Sequence, residues 1–293
     1  MSISLTQEQV SQVLQGISIP PQPQIMVDLQ REQVSPDCSI NRIAELISQD
    51  VGIAGSILKT VNSPFYGLKN KISSIQQACN LMGINSVINI VNALSIRSEL
   101  SDEHVSSLNK FWDSAMDIAM ACTTIAKQLG IQSPDEAYTV GLFHNCGVPL
   151  LMQRFDNYPE VMVASYGCHN QRIVDSENHS LNTNHAVVGY YIAKSWNLPA
   201  YISEAIADHH SCAAIFANPD YPKIEKKNLL AILKMAEHIC GNYKIIGNQT
   251  EDFEWQQIEE TLLIYVGLSH YDFEGIKATC LELGLGSSDY FDQ

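Results

Sequence analysis

Several things are scarce in this 293-residue sequence, and each scarcity removes a class of protein. The eight cysteines lie 22 or more residues apart, so no C-x-x-C pair exists. A zinc ribbon and a thioredoxin-like redox motif are therefore excluded, and isolated thiols among apolar residues fit a reducing compartment. No apolar run approaches the roughly 20 residues that span a bilayer. The start, M-S-I-S-L-T-Q-E-Q, has no basic stretch followed by an apolar one, so no secretory signal is expected and a cytoplasmic location is. G-x-x-x-x-G-K-[ST], G-x-G-x-x-G and G-x-S-x-G do not occur, which argues against P-loop, Rossmann and hydrolase-elbow chemistry. Basic residues are few: 17 Lys and Arg face 32 Asp and Glu, a formal net charge of -15. Residues 1–100 are near neutral at -1 and residues 101–293 carry -14. Such a surface repels phosphate backbones, so neither nucleic acid nor an anionic membrane is an expected partner.

What is present is helix punctuation. Period-two strands are missing, while capping residues recur before apolar stripes. Thr6 with Gln9 opens a short amphipathic helix that ends near Gly16. Ser39 precedes Ile40, Ile43, Leu46 and Ile47, and Ser74 with Gln77 opens a helix closed by Gly83. Ser133-Pro134-Asp135-Glu136 combines a cap residue, proline at the first helical position and an acid in the first turn. Asn109 to Leu129 keeps Phe111, Ala115, Ile118, Ala119, Cys122, Ile125, Ala126 and Leu129 on one face. Further helices are expected near 183–196, 199–210, 225–241, 254–266 and 272–284. The three prolines of I-P-P-Q-P-Q (19–24) stiffen the chain ahead of a helix. The polar run 100–109 offers a boundary, although one continuous core with an N-terminal helical layer is the favoured reading. The fold class is all-α.

Histidines carry the chemistry. His144 lies in G-L-F-H-N-C-G, His185 in N-H-A-V-V-G, and His209 and His210 are adjacent in A-I-A-D-H-H; His238 follows Glu237. A hydrolytic metal centre needs neutral imidazoles and a carboxylate to balance the cation, and this set supplies both types. Spacing alone leaves open the plainer reading, in which each is a hydrogen-bonded helix residue beside the core. Asp208 is a candidate orienting carboxylate for His209, against the commoner exposed helix aspartate. Cys146 reads as a buried inert thiol before a redox-sensitive one, and Phe65-Tyr66 as a turn anchor before an exposed contact pair.

I-P-P-Q-P-Q, I-S-Q-D-V-G-I-A-G-S-I-L-K-T-V-N-S-P-F-Y-G, I-S-S-I-Q-Q-A-C-N-L-M-G, F-W-D-S-A, G-L-F-H-N-C-G and N-H-A-V-V-G-Y-Y-I-A-K-S-W-N-L-P together resemble the HDOD family. That family is a degenerate branch of the HD-domain superfamily of metal-dependent phosphohydrolases, and the likeness spans roughly residues 17–210. It implies an all-helical HD-like bundle: a short helix over 1–18, an HDOD domain over 19–215 (a layer, 19–100, and a core, 107–215), and helical completion over 216–293. It places the superfamily's first histidine at Ser114, its His-Asp pair at His144-Asn145, further histidines at His185, His209 and His210, and its closing acid at Glu237. Where cyclic-dinucleotide-degrading relatives have lysine, this chain has Val148.

Three departures follow. Asn145 offers an amide for a carboxylate, Ser114 no imidazole, and Val148 no charge for a phosphate. Losing one anion and one imidazole weakens metal binding by several kcal/mol on the scale of ~10–16 kcal/mol for complete zinc sites. The resemblance therefore implies a signalling protein without catalysis, acting through a protein partner or a nucleotide ligand. No cofactor is expected beyond a divalent ion (Mn, Fe, Zn or Mg) in a reduced site of His144, Asn145, His185, His209, His210 and Glu237. The alternative is a phosphohydrolase acting on a nucleotide or cyclic dinucleotide.

Overall fold

The structure is a computed structural model that describes residues 7–100 and 107–286. Every regular element among them is helical. The Thr6 cap lies outside the described residues. The chain divides into two compact units, one of Pro21–Ser101 with Glu282–Gly284, the other of Met1–Pro20, Asp102–Leu281 and Leu285–Gln293. No single helix among the described residues is long and apolar enough to cross a membrane.

The larger unit opens with α1 (Gln7–Leu14). Leu14 and Ile17 are buried, Arg154 Nε donates to the Gln15 carbonyl at 3.0 Å, and Trp196 Nε1 donates to the Pro20 carbonyl at 2.9 Å.

The smaller unit holds α2 (Gln24–Gln33), α3 (Ile40–Ser48), α4 (Val51–Val61), α5 (Ile75–Met82) and α6 (Ile84–Leu100). The proline-rich lead-in ends where α2 begins. Ser39, Asp50 and Ser74 each accept a backbone N–H three residues on, the geometry that satisfies otherwise orphaned amides of a first turn. Gly83, at φ +80°, separates α5 from α6 with backbone that side chains resist. Phe65 and Tyr66 sit half-buried on a 3-10 turn (Pro64–Tyr66), their rings edge to face at 5.2 Å.

The larger unit continues with α7 (Ser107–Leu129), α8 (Pro134–Phe143), α9 (Val148–Arg154), α10 (Tyr158–Tyr166), α11 (Ile173–Leu181), α12 (His185–Ser195) and α13 (Ala200–Asp208). It closes with α14 (Cys212–Phe216), α15 (Ile224–Cys240), α16 (Asn242–Ile245), α17 (Phe253–Val266) and α18 (His270–Glu282). The stripe on α7 is buried from Phe111 to Ala126, with Leu129 half-buried. Helix α15 is buried along most of its length and packs on α7, α8, α13 and α17, so it is part of this unit's core. Ser133 precedes α8 as expected but makes no capping hydrogen bond; Glu136 instead accepts from Gln132 and from the Tyr201 hydroxyl.

Candidate functional site

The imidazoles come from helix ends. His144 caps the C-terminus of α8, His185 is the first residue of α12, and His209 and His210 follow α13. Asn184 fixes the start of α12 by accepting from Val187 N at 2.9 Å. A Cβ on Gly147 would stand 2.2 Å from the His185 carbonyl oxygen, so only glycine lets the turn after His144 lie directly on His185.

Three of these rings converge. His185 Nε2 lies 3.2 Å from His209 Nε2 and 3.0 Å from His210 Nε2, all fully or nearly fully buried. Each ring is oriented through its other nitrogen. His209 Nδ1 is 2.7 Å from the Ile206 carbonyl oxygen, His185 Nδ1 2.7 Å from Glu177 Oε2, and His210 Nδ1 3.0 Å from both Glu254 oxygens. His144 Nδ1 is 2.6 Å from the Gly141 carbonyl oxygen. A carbonyl or carboxylate oxygen only accepts, so Nδ1 carries the hydrogen in each case, and in His185, His209 and His210 the neutral ring presents its Nε2 lone pair. Burial first, and then the positive charges around them, Lys234 among these, hold His209 and His210 well below the ordinary 6.5.

The His185 lone pair is repelled by those of His209 at 3.2 Å and His210 at 3.0 Å, and the ligand atoms of all three lie within 4.8 Å of one another. One shared proton relieves one pair, whereas a cation relieves all three. Imidazoles that donate one N–H to a carboxylate or carbonyl and aim the other nitrogen at a common point form the usual arrangement around a metal. His185, His209 and His210 thus fit a divalent cation.

The other half of the site is different. His144 Nε2 lies 3.4 Å from Glu237 Oε1, so Glu237 meets the histidine of the His144-Asn145 pair. The other oxygen of Glu237 is 2.8 Å from Lys234 Nζ, and Lys234 is also 2.7 Å from Glu254 Oε2. Burial alone would raise the Glu237 carboxyl, but the Lys234 ammonium and His144 outweigh it and hold it well below the usual range. Burial likewise opposes the Lys234 charge, yet Glu237 and Glu254 keep its pKa well above the ordinary value. A buried ammonium costs several kcal/mol unless so paired.

Asn145 is 2% exposed and neither atom of its amide has a hydrogen-bond partner. Ser114, buried on α7, also has an unpartnered hydroxyl. Val148 is buried at the start of α9 and presents no charge. His238 does not join the cluster: it stacks on Trp255 at 4.7 Å and meets Asp252 at 3.0 Å. Asp208 pairs with Lys226, so the group orienting His209 is a main-chain carbonyl, not the neighbouring acid. Cys146 is buried, and desolvation pushes its thiol far up.

Glu177, Lys234 and Glu254 are site residues that sequence reasoning missed. Glu177 is fully buried, accepting from Tyr158 at 2.6 Å and from the His185 backbone at 3.3 Å. The one signal for Lys234 is its position a helical turn before Glu237. A cavity of about 60 Å³ reaches His210, Lys234, Glu237 and Glu254, with Arg172 and Trp255 also on its wall.

An all-helical unit with histidines gathered from helix ends around a buried acid is an HD-like architecture. The sequence pattern of the HDOD domain matches residues 19–212, and the chain belongs to that family. An HDOD domain protein with unknown function from Geobacter sulfurreducens has the same fold, with a TM-score of 0.65, 20% identity and coverage of 94% of this chain and 96% of that one. A Shewanella amazonensis protein named as a candidate phosphohydrolase superposes with a TM-score of 0.67 at 20% identity, covering 96% and 98%. An uncharacterised protein from Treponema pallidum is 29% identical over 202 residues, 66% of this chain. This chain spans 38% of the length of that relative.

Proposed function

We propose that this chain is a non-catalytic signalling protein that holds a divalent ion on His185, His209 and His210 and acts through a protein partner. The observation that carries the reading is Asn145. A buried amide with no partner costs about 1–3 kcal/mol, and it stands where the superfamily's carboxylate would bind or bridge metals. Three neutral nitrogen donors suit zinc or ferrous iron better than magnesium, which prefers oxygen. A divalent ion there would supply Lewis acidity and would cross-link α12 to the end of α13. His185, His209 and His210 would hold it, while Glu177, the Ile206 carbonyl and Glu254 would fix the rings.

The cavity beside the cluster, at about 60 Å³, is far below the roughly 300–1,000 Å³ of sites for drug-sized ligands, which speaks against a nucleotide at this position. A relative by fold, from Marinobacter aquaeolei, is named as a candidate signal transduction protein. The near-neutral charge of residues 1–100 beside an acidic remainder favours the N-terminal third as the partner's surface.

The second reading is a metal-dependent phosphohydrolase, favoured by the meeting of His144 with Glu237 and by the cavity that reaches both Glu237 and His210. Hydrolysis of bis(4-nitrophenyl) phosphate by the zinc-, iron- and manganese-loaded protein separates the two. The expected result is no turnover by the parent and a gain in the Ser114→His, Asn145→Asp double variant. Turnover by the parent that disappears in His144→Ala would make the chain an enzyme.

A further inference from the structure

The site carries a buried cation of its own. We propose that the Lys234 ammonium restricts the cluster to a single divalent ion, by neutralising Glu237, the acid that would otherwise draw in a second ion. The inference rests on the reading that His185, His209 and His210 bind a metal.

Charge balance leads to it. The groups gathered around the imidazoles are three carboxylates, Glu177, Glu237 and Glu254, and one ammonium, Lys234. With neutral imidazoles their formal charge is about -2, which one divalent ion cancels. A second ion would leave the buried cluster with an excess of positive charge, since Glu251, the further acid on the cavity wall, is exposed to solvent. Arg172 with Asp175, and His238 with Asp252, are pairs in their own right at or near the cavity wall.

Geometry says where that second ion is forestalled. Glu237 turns one oxygen to His144 Nε2 at 3.4 Å and the other to Lys234 Nζ at 2.8 Å, so the acid nearest the His144–Asn145 side is already neutralised. Asn145 adds no charge there. Lys234 is itself 4% exposed, shut in between Glu237 and Glu254, and does not compete for bulk solvent. The cluster thus holds two cationic positions of different kind: a metal-shaped one among three nitrogens, and one filled covalently by a side chain.

The test is metal content by mass spectrometry after loading with excess Zn2+ or Mn2+ and desalting, with affinity from competition against a chelating dye. Wild type is expected to hold about one equivalent, and the charge-keeping Lys234→Arg variant the same. Lys234→Met is expected to hold a second equivalent, or to bind the first about tenfold more tightly. Glu254→Gln, whose amide oxygen still accepts from His210, is expected to bind about tenfold more weakly. One equivalent at unchanged affinity in Lys234→Met overturns the inference and leaves the metal reading standing, and so do two equivalents in wild type. No metal in either protein overturns both. Metal in Lys234→Met alone overturns the metal reading of the native chain and, with it, the single-ion inference. Circular dichroism reports whether Lys234→Met folds; where it does not, Glu254→Gln decides, and unchanged affinity there overturns the inference.

Discussion

Glu177 stands between Tyr158 and His185, taking the tyrosine hydroxyl on one oxygen at 2.6 Å and the imidazole Nδ1–H on the other at 2.7 Å. All three side chains are buried, so the ring of His185 has one orientation and one tautomer. Glu177→Gln is expected to lower zinc affinity about 10- to 100-fold, the usual effect of losing a group that orients a ligand. Tyr158→Phe, which leaves one carboxylate oxygen short of a donor, is expected to cost about 1–3 kcal/mol of stability in urea unfolding. Unchanged zinc affinity in Glu177→Gln would mean that His185 is not a ligand.

Stability of the metal-free protein should fall on mild acidification. His209 and His210 are held well below 6.5 in the folded state, chiefly by burial. The unfolded chain therefore takes up protons first, so stability is complete above about 6.5 and is lost as pH drops from there toward the folded-state values. Chelator-treated protein should lose about 1.4 kcal/mol per pH unit for each of the two histidines over that window. Urea midpoints measured from pH 7 to pH 5 check this, and a flat profile would show that the rings are not held neutral by the fold.

Glycines divide by what surrounds them. Gly147→Ala would drive a methyl into the His185 carbonyl at 2.2 Å and the Gly189 amide at 2.9 Å, and is expected to cost about 3 kcal/mol or more. Gly55 and Gly275 are exposed positions inside α4 and α18 with open space around them. Alanine at either should raise stability by about 0.5–1 kcal/mol, through helix propensity and a less flexible unfolded chain. Thermal melts of the three variants make the comparison.

Thiol accessibility gives a further check. Six of the eight cysteines are buried, while Cys38 and Cys168 are half-buried, and no disulfide links any of them. An aromatic disulfide reagent should label Cys38 and Cys168 quickly in the native protein and the other six only with unfolding. Rapid labelling of Cys146 would contradict its burial beside His144.

Much of this was legible in the sequence because helix starts and histidines are local signals. Ser39 and Ser74 cap where polar side chains before apolar stripes should, and the helices expected near 199–210, 225–241 and 254–266 lie within a residue or two of α13, α15 and α17. His144, His185, His209 and His210 could be selected from their order and the family likeness. The ring-orienting groups could not. Lys234, one turn before Glu237, looks like half of an ordinary surface ion pair, and only the packing of α15 on its neighbours buries it. Glu177 and Glu254 are single acids on helices far apart in sequence. His238 misleads for the opposite reason: next to Glu237 along the chain, it lies about 100° round the helix and faces Trp255 instead.

The HDOD match ends at residue 212, just past the last imidazole of the cluster. A protein cut there would keep His144, His185, His209 and His210 and, of the charged groups that set their balance, retain only Glu177. Lys234, Glu237 and Glu254 all arrive from the segment that follows. The site is therefore a joint product of two stretches of chain: one furnishes donors, the other decides what charge they tolerate. Two proteins alike over the matched region can differ in the charge that surrounds these histidines by changes made entirely outside it.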